Sequence, residues 1–184
     1  MRLAIEAAPV EKTIADVVVV AFFEEDRPLR GGAGLADWRL CGALSRLLEA
    51  GRLRGGAGEA ALLGTGRAFA CPRLLLLGLG PAVHLERTGL QRVAAEALTR
   101  AAGLGFPRVA VSLPLCGRPA ELPLDASAAA FVEASFAAGP PLAQLDLLVP
   151  AGTEPGIESL ARRLAQRLGR RDLEVLLRLA PAPV

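Results

Sequence analysis

The sequence predicts an α/β domain built as a three-layer sandwich, with a central mixed sheet and helices on both faces. Three observations carry that prediction. Short apolar runs rich in Val and Leu alternate along the chain with stretches of 12 to 18 residues that have helical periodicity. The run Val17-Val18-Val19-Val20-Ala21-Phe22-Phe23 is continuous, the pattern of a strand covered on both faces. Of the 184 residues, 52% are hydrophobic before the 20 glycines are counted and 22% are charged, so the chain can bury a sizeable core.

Taken in order, Arg2 to Ala7 alternates, with Leu3 and Ile5 on one side and Arg2 and Glu6 on the other, and predicts a half-exposed first strand. Ala15 to Phe23 predicts a central strand, ended by Glu24-Glu25-Asp26-Arg27-Pro28. Arg30-Gly31-Gly32-Ala33-Gly34 predicts a mobile or tightly turned loop. Asp37 can cap the helix that follows, whose apolar stripe is Leu40, Leu44, Leu47 and Leu48 and which Gly51 can close. Glu59 to Leu63 and Leu74 to Leu77 predict a loosely connected hairpin, its second strand the stronger core element.

A long helix from about Glu86 places Leu90, Val93, Ala94, Ala97, Leu98 and Ala101 on one face. Val109-Ala110-Val111 predicts another buried strand, with Leu113 to Pro119 as the loop leaving its C-terminal end. Asp125 can cap a helix carrying Phe131, Val132, Ser135 and Phe136, stopped by Gly139-Pro140-Pro141. Leu145 to Val149 predicts a strand. A last helix starting at Thr153 and Pro155 turns Ile157, Leu160, Ala161, Leu164 and Leu168 inward, and Leu173 to Leu179 alternates as a final strand. The chain thus divides into one domain over 1–179 and a Pro-rich tail over 180–184.

Composition excludes several function classes. A net charge of +2 from 21 Lys plus Arg against 19 Asp plus Glu, with the signs interleaved, is not the footprint of a nucleic-acid binder. The exception, Arg162, Arg163, Arg167, Arg170 and Arg171, lies near the end of a predicted helix, where cations suit the helix dipole and water. No apolar run approaches the roughly 20 residues that span a bilayer. Glu6 and Glu11 interrupt the N-terminal stretch where a secretory signal is apolar. Cys41, Cys71 and Cys116 lack paired spacing, so the sequence predicts neither a disulfide framework nor a zinc knuckle, and a cytoplasmic location.

Chemistry-bearing motifs are few. Leu77-Gly78-Leu79-Gly80-Pro81 lacks the third glycine and the downstream acid of a dinucleotide fingerprint and reads as a turn leaving a core strand. His84 is the single histidine, with no carboxylate or Cys cluster beside it, so no metal or other cofactor is expected. Cys116, between Pro114 and Pro119, is the cysteine best placed for a functional thiol, although cysteines of this kind are more often small core residues. Gly31, Gly32 and Gly34, after a central strand and before a helix, let backbone N–H groups approach an anion. The Lys and Ser/Thr of a nucleotide-hydrolysing phosphate loop are missing from them.

The order of these pieces, above all Ala15 to Phe22, the glycine segment, the helix from Asp37 through Leu48, Gly58-Glu59 and Arg73-Leu74-Leu75-Leu76-Leu77-Gly78-Leu79-Gly80, resembles the N-terminal domain of the cytosolic leucyl aminopeptidase family. The resemblance covers most of residues 1 to 150 and implies a macro-domain-like fold. In that family the catalytic machinery lies in a C-terminal domain that holds two metal ions and carries the motif Asn-Thr-Asp-Ala-Glu-Gly-Arg. This chain has no Asn, and Lys12 is its one lysine, so no peptidase activity is expected of it. Macro domains add a second ligand loop, matched here by Pro114 to Pro119 with Gly117 and Arg118. Ala21-Phe22-Phe23-Glu24 stands where their Asn-Ala-Ala-Asn grips the distal ribose, and Glu24 and Glu25 would repel a diphosphate.

The resemblance therefore implies a non-catalytic assembly, regulatory or protein-interaction module, through self-association or docking to a separately encoded aminopeptidase catalytic subunit. Two alternatives stand beside it: a domain binding a small nucleotide or ADP-ribose at Gly31, Gly32, Gly34, Gly117 and Arg118, and a separated part of a metal-dependent leucyl aminopeptidase.

Overall fold

A computed structural model of the chain describes residues 1–113, 124–137, 142–150, 152–167, 169 and 174–178. Within them seven strands form one sheet: β1 (Arg2–Glu6), β2 (Val17–Phe22), β3 (Ala60–Gly64), β4 (Arg73–Gly78), β5 (Arg108–Ser112), β6 (Gln144–Leu148) and β7 (Glu174–Arg178). The strand order is β3-β4-β2-β5-β6-β1-β7. Every neighbouring pair is parallel except β3 and β4, the predicted hairpin, which is antiparallel. Five helices flank the sheet: α1 (Gly31–Arg39), α2 (Ala43–Glu49), α3 (Arg87–Gly103), α4 (Leu124–Ala137) and α5 (Glu154–Arg167).

The period-2 pattern of the strands divides the core in two. Val17 and Val19 of β2, Leu75 and Leu77 of β4, Val109 and Val111 of β5, and Leu145 and Leu147 of β6 face α3, α4 and α5. Val18, Val20 and Phe22, with Leu74 and Leu76, face the other way onto Ala33 and Ala36 of α1 and Leu44 of α2. A continuous apolar run is what such a strand requires, since neither of its faces meets water.

Three expectations are corrected. β1 is not half-exposed: it lies between β6 and β7, and Ala4, on the side the charged residues were expected to hold toward water, is fully buried. Its charges are at its ends, where Arg2 pairs with Glu174 at 3.1 Å. The glycine segment is not a loop but the first turn of α1. Glycine is a poor helix former, at about 1 kcal/mol per residue below Ala. The burial of Ala33 and Ala36 at 0% exposure against the sheet overrides that preference.

The single helix expected from Asp37 to Leu48 is two helices, broken by left-handed backbone at Cys41 (φ 53°) and Gly42 (φ 78°). Asp37 is a capping residue, but from inside α1. Its Oδ1 accepts the N–H groups of Leu44 (2.8 Å) and Ser45 (3.0 Å) at the start of α2, and its Oδ2 accepts the Ser45 hydroxyl at 2.5 Å.

Candidate functional site

The topology opens a crevice at the C-terminal ends of the strands. After β2 the chain moves outward to β4 and β3, then returns to β5 on the other side of β2, so β2 and β5 flank the point where the winding reverses. Ligands of open α/β sheets bind outside the carboxyl ends of strands at such a point. Here the crevice is a cleft of about 240 Å³, lined by Gly31, Gly32 and Leu35 of α1, Ser112 at the end of β5, Leu148, Val149 and Pro150 leaving β6, and Ala8 and Val10 after β1.

Gly31 and Gly32 form its polar edge through backbone alone. Gly31 has φ 55°, a left-handed conformation that favours glycine, and starts α1 behind Arg30, whose side chain makes no capping bond. The Gly34 N–H closes the first turn on the Arg30 carbonyl at 3.0 Å. The N–H groups ahead of it belong to the set a helix leaves without intrahelical acceptors, at its partially positive end. Gly32 also lets α1 touch β5: a Cβ at this position would lie 2.2 Å from the Ser112 Oγ and 2.6 Å from its Cβ. Gly34 faces the preceding turn instead, where a Cβ would stand 2.6 Å from the Leu29 carbonyl oxygen. Gly117, Arg118 and Cys116 lie outside the described residues, as does the side chain of His84.

The acids after β2 turn away from this cleft. Both carboxylate oxygens of Glu25 stand 3.1 Å from the Ala82 N–H, beyond the end of β4. The Asp26 carboxylate, 3% exposed, accepts the Phe23 N–H at 2.9 Å and so shapes the turn. Neither they nor Glu24 are among the described residues that line the cleft. Among the described lining residues the Ser112 hydroxyl is the one polar side chain, with no base beside it to activate it. This arrangement can bind a small neutral or anionic group; its described lining residues include no acid or base for proton transfer. At about 240 Å³ the cleft is below the roughly 300 Å³ where drug-sized sites begin, a volume for a fragment such as a phosphate and part of a sugar.

Elsewhere, the described residues contain no group of three or more His, Cys, Asp or Glu that could hold a metal ion. Cys71 is buried, and its thiol is shifted to higher pKa chiefly by desolvation, whereas Cys41 is exposed. The basic segment of α5 is in part paired: Arg162 with Glu158 at 2.6 Å and Arg167 with Glu133 at 3.2 Å. No described helix is long and apolar enough to cross a membrane. One feature of α1 was not legible as functional. Leu35 and Trp38 are 52% and 69% exposed and, three residues apart, share its outer side. The apolar stripe read from the sequence, Leu40, Leu44, Leu47 and Leu48, does not include them.

Known proteins agree with this architecture. A probable cytosol aminopeptidase of Pseudomonas syringae pv. tomato is 32% identical over 113 residues, which are 61% of this chain and 23% of that protein. The chain thus spans about a quarter of the length of the curated relatives it matches. Among solved structures, tomato leucine aminopeptidase superposes with a TM-score of 0.65 at 20% identity, covering 89% of this chain and 35% of that one. An Oceanobacillus iheyensis macrodomain with ADP superposes with a TM-score of 0.66 at 12% identity, covering 89% and 90%. These two likenesses establish the macrodomain-like fold. Residues 18–138 match the N-terminal domain of the cytosol aminopeptidase family, and the chain belongs to that family.

Proposed function

We propose that this domain is a non-catalytic assembly and regulatory module of the cytosol aminopeptidase type, acting by contact with other chains. The observation that carries the reading is the outer side of α1, where Leu35 and Trp38 stay largely exposed. Large apolar groups side by side on a helix, rimmed by charge, mark contact surfaces more often than free ones. Arg39 supplies that rim, stacked 4.6 Å from the Trp38 ring centroid and paired with Glu11 at 2.6 Å. The site chemistry also supports it, since the described residues of the cleft lining include no general acid or base. The partner in this reading is a second copy or a separately encoded aminopeptidase subunit.

The test mixes the full chain with a purified cytosol aminopeptidase from the same organism and follows sedimentation and release of leucine from a chromogenic amide with manganese. Co-sedimentation or altered release, weakened by Trp38→Ala, is the expected result. Leucine release by the chain alone, abolished by a chelator, would overturn the non-catalytic assignment. A chain that neither self-associates nor binds the enzyme would overturn the assembly role.

A second reading rests on the cleft. The N-terminus of α1 meets the carboxyl ends of β5 and β6 there, and a structural neighbour is described with ADP. This supports binding of a small nucleotide or ADP-ribose, with Gly31 and Gly32 as the phosphate contact. Calorimetry with ADP-ribose and mononucleotides tests it, and no heat at millimolar ligand removes it.

A further inference from the structure

We propose that β3 is a self-pairing edge, onto which a second copy of this chain adds its own β3 antiparallel across a two-fold axis. This deepens the assembly reading, on which it rests, by naming the surface and the partner. β3 ends the sheet. Its register with β4 runs unbroken from Ala60↔Leu77 to Gly64↔Arg73. The Glu59 carbonyl accepts the Gly78 N–H at 2.8 Å, and the Thr65 N–H donates to the Pro72 carbonyl at 3.1 Å. These two bonds set the parity of the ladder: Ala61 and Leu63 turn their backbone groups to β4, while Ala60, Leu62 and Gly64 turn theirs outward.

Natural sheet edges are blunted by charge, proline, a bulge or a covering element. The segment Ala60-Ala61-Leu62-Leu63-Gly64 carries no charge and no proline, and its register shows no bulge. At its middle Leu62 is 45% exposed, and a Cβ on Gly64 or Gly66 would meet nothing within 4 Å. The opposite edge differs: β7 begins at Glu174, paired with Arg2, and ends at Arg178.

Charge selects the antiparallel copy as occupant. Glu59, whose carboxylate accepts the Arg54 and Gly55 N–H groups at 2.9 and 2.6 Å, precedes the strand, and Arg67 follows it beyond the turn at Gly66. Centred on Leu62, two antiparallel copies set the Glu59 end of each toward the Arg67 end of the other, and Ala60 opposes Gly64 while Leu62 opposes its counterpart. A parallel partner of the same sequence would set like charges together. Each outward N–H then finds an outward carbonyl. A five-residue edge is small beside the roughly 1,200 to 2,000 Å² of a stable interface, so the dimer belongs to the weak class, with Kd on the order of 0.1 mM.

Sedimentation equilibrium of the full chain from about 10 µM to 1 mM tests this, with Leu62→Lys and Trp38→Ala as variants. The expected result is a mass that rises with concentration in the wild type and in Trp38→Ala. In Leu62→Lys it falls back to the monomer, with circular dichroism and Tm unchanged because residue 62 is half-exposed. Amide exchange at Ala60, Leu62 and Gly64 slows at high concentration in the wild type and in Trp38→Ala but not in Leu62→Lys. A wild type that stays monomeric throughout overturns the proposal, while capture of an aminopeptidase subunit would still sustain the assembly reading. A dimer that survives Leu62→Lys, or is lost only in Trp38→Ala, overturns the β3 surface and places association elsewhere.

Discussion

Replacing Gly32 by Ala tests the packing that builds the cleft. The new Cβ would lie 2.2 Å from the Ser112 Oγ and 2.6 Å from the Ser112 Cβ. The hydroxyl can rotate away; the Cβ is fixed to β5, so α1 must retreat from the sheet or Ser112 must shift. Overpacking of this kind costs about 1 to 3 kcal/mol. Against it stands the better helix propensity of Ala, worth about 1 kcal/mol. The balance is a loss of up to about 2 kcal/mol, which for a domain of this size lowers Tm by up to roughly 8 °C. Gly156→Ala, also helical but with nothing within 4 Å of the new Cβ, keeps the propensity gain without the clash, and its Tm should rise by about 1 to 4 °C. Thermal melts of both variants and of Gly32→Ala/Ser112→Gly complete the assay. In the double variant the two losses should be less than additive, because the second substitution removes the atoms the first one strikes. A Gly32→Ala protein that gains stability as Gly156→Ala does, or a strictly additive double variant, would refute the close contact between α1 and β5.

Other perturbations address other parts of the fold. Asp37→Ala removes the acceptor of two N–H groups and a hydroxyl at the start of α2, and chemical denaturation should show a loss of about 1 to 2 kcal/mol. Asp16 receives the Arg108 Nη2 at 2.6 Å and the Arg108 N–H at 2.9 Å, and the hydrogen bond from the Arg108 side chain holds its carboxyl below the usual carboxylate range. The folded pKa is the lower one, so the pair stabilises the fold above about pH 4, where an unfolded Asp is ionised, and that contribution fades as pH falls through the folded value. Asp16→Asn should therefore be less stable than wild type at pH 7, with the difference shrinking as pH falls below about 4, as read by denaturation across pH; a constant difference would contradict the pairing. Cys41 should alkylate in the native protein while Cys71 resists until denaturant is added, as peptide mapping after iodoacetamide would show.

The strands and the long helices were legible because burial on two faces leaves an unmistakable mark. Val17 to Phe22 and Leu74 to Leu77 read as core, and they form adjacent central strands. The helix through Leu90, Val93, Ala94, Ala97, Leu98 and Ala101 kept every one of those residues buried. Errors arose where small residues hide burial. Ala4 carries too little hydrophobicity to reveal that β1 is covered on both sides, and the glycines of α1 mask a helix made possible by tertiary contact. The helix break at Cys41 and Gly42 was hidden in a stripe whose spacing suits one helix. Asp37 was recognisable as the cap of the helix carrying Leu44, Leu47 and Leu48, but not as a residue inside a helix of its own. Leu35 and Trp38 gave no signal at all, since exposure is a property of the assembled fold.

The glycine segment shows how a structural correction changes a functional argument. As a loop, Arg30 to Gly34 would have offered an anion several adjustable N–H groups, and any of the three glycines could have been a contact. As the first turn of a helix, it fixes their direction and divides their roles. Gly31 supplies the left-handed entry, Gly32 the closeness to Ser112, and Gly34 the fit beneath the Leu29 carbonyl. Two of the three therefore serve packing whether or not a ligand binds, and a loss of stability on mutating them says nothing about recognition. What remains specific to an anion is the outward N–H edge of the helix, together with a cleft whose described lining bears no opposing carboxylate. The discriminating substitution must therefore alter that edge without adding bulk against β5. Leu35→Asp meets this condition: its side chain is 52% exposed and lines the cleft, so a negative charge there should abolish binding of a phosphate-bearing ligand while leaving Tm within a few degrees of the wild type. Unchanged calorimetric affinity in that variant would remove the cleft as the anion site.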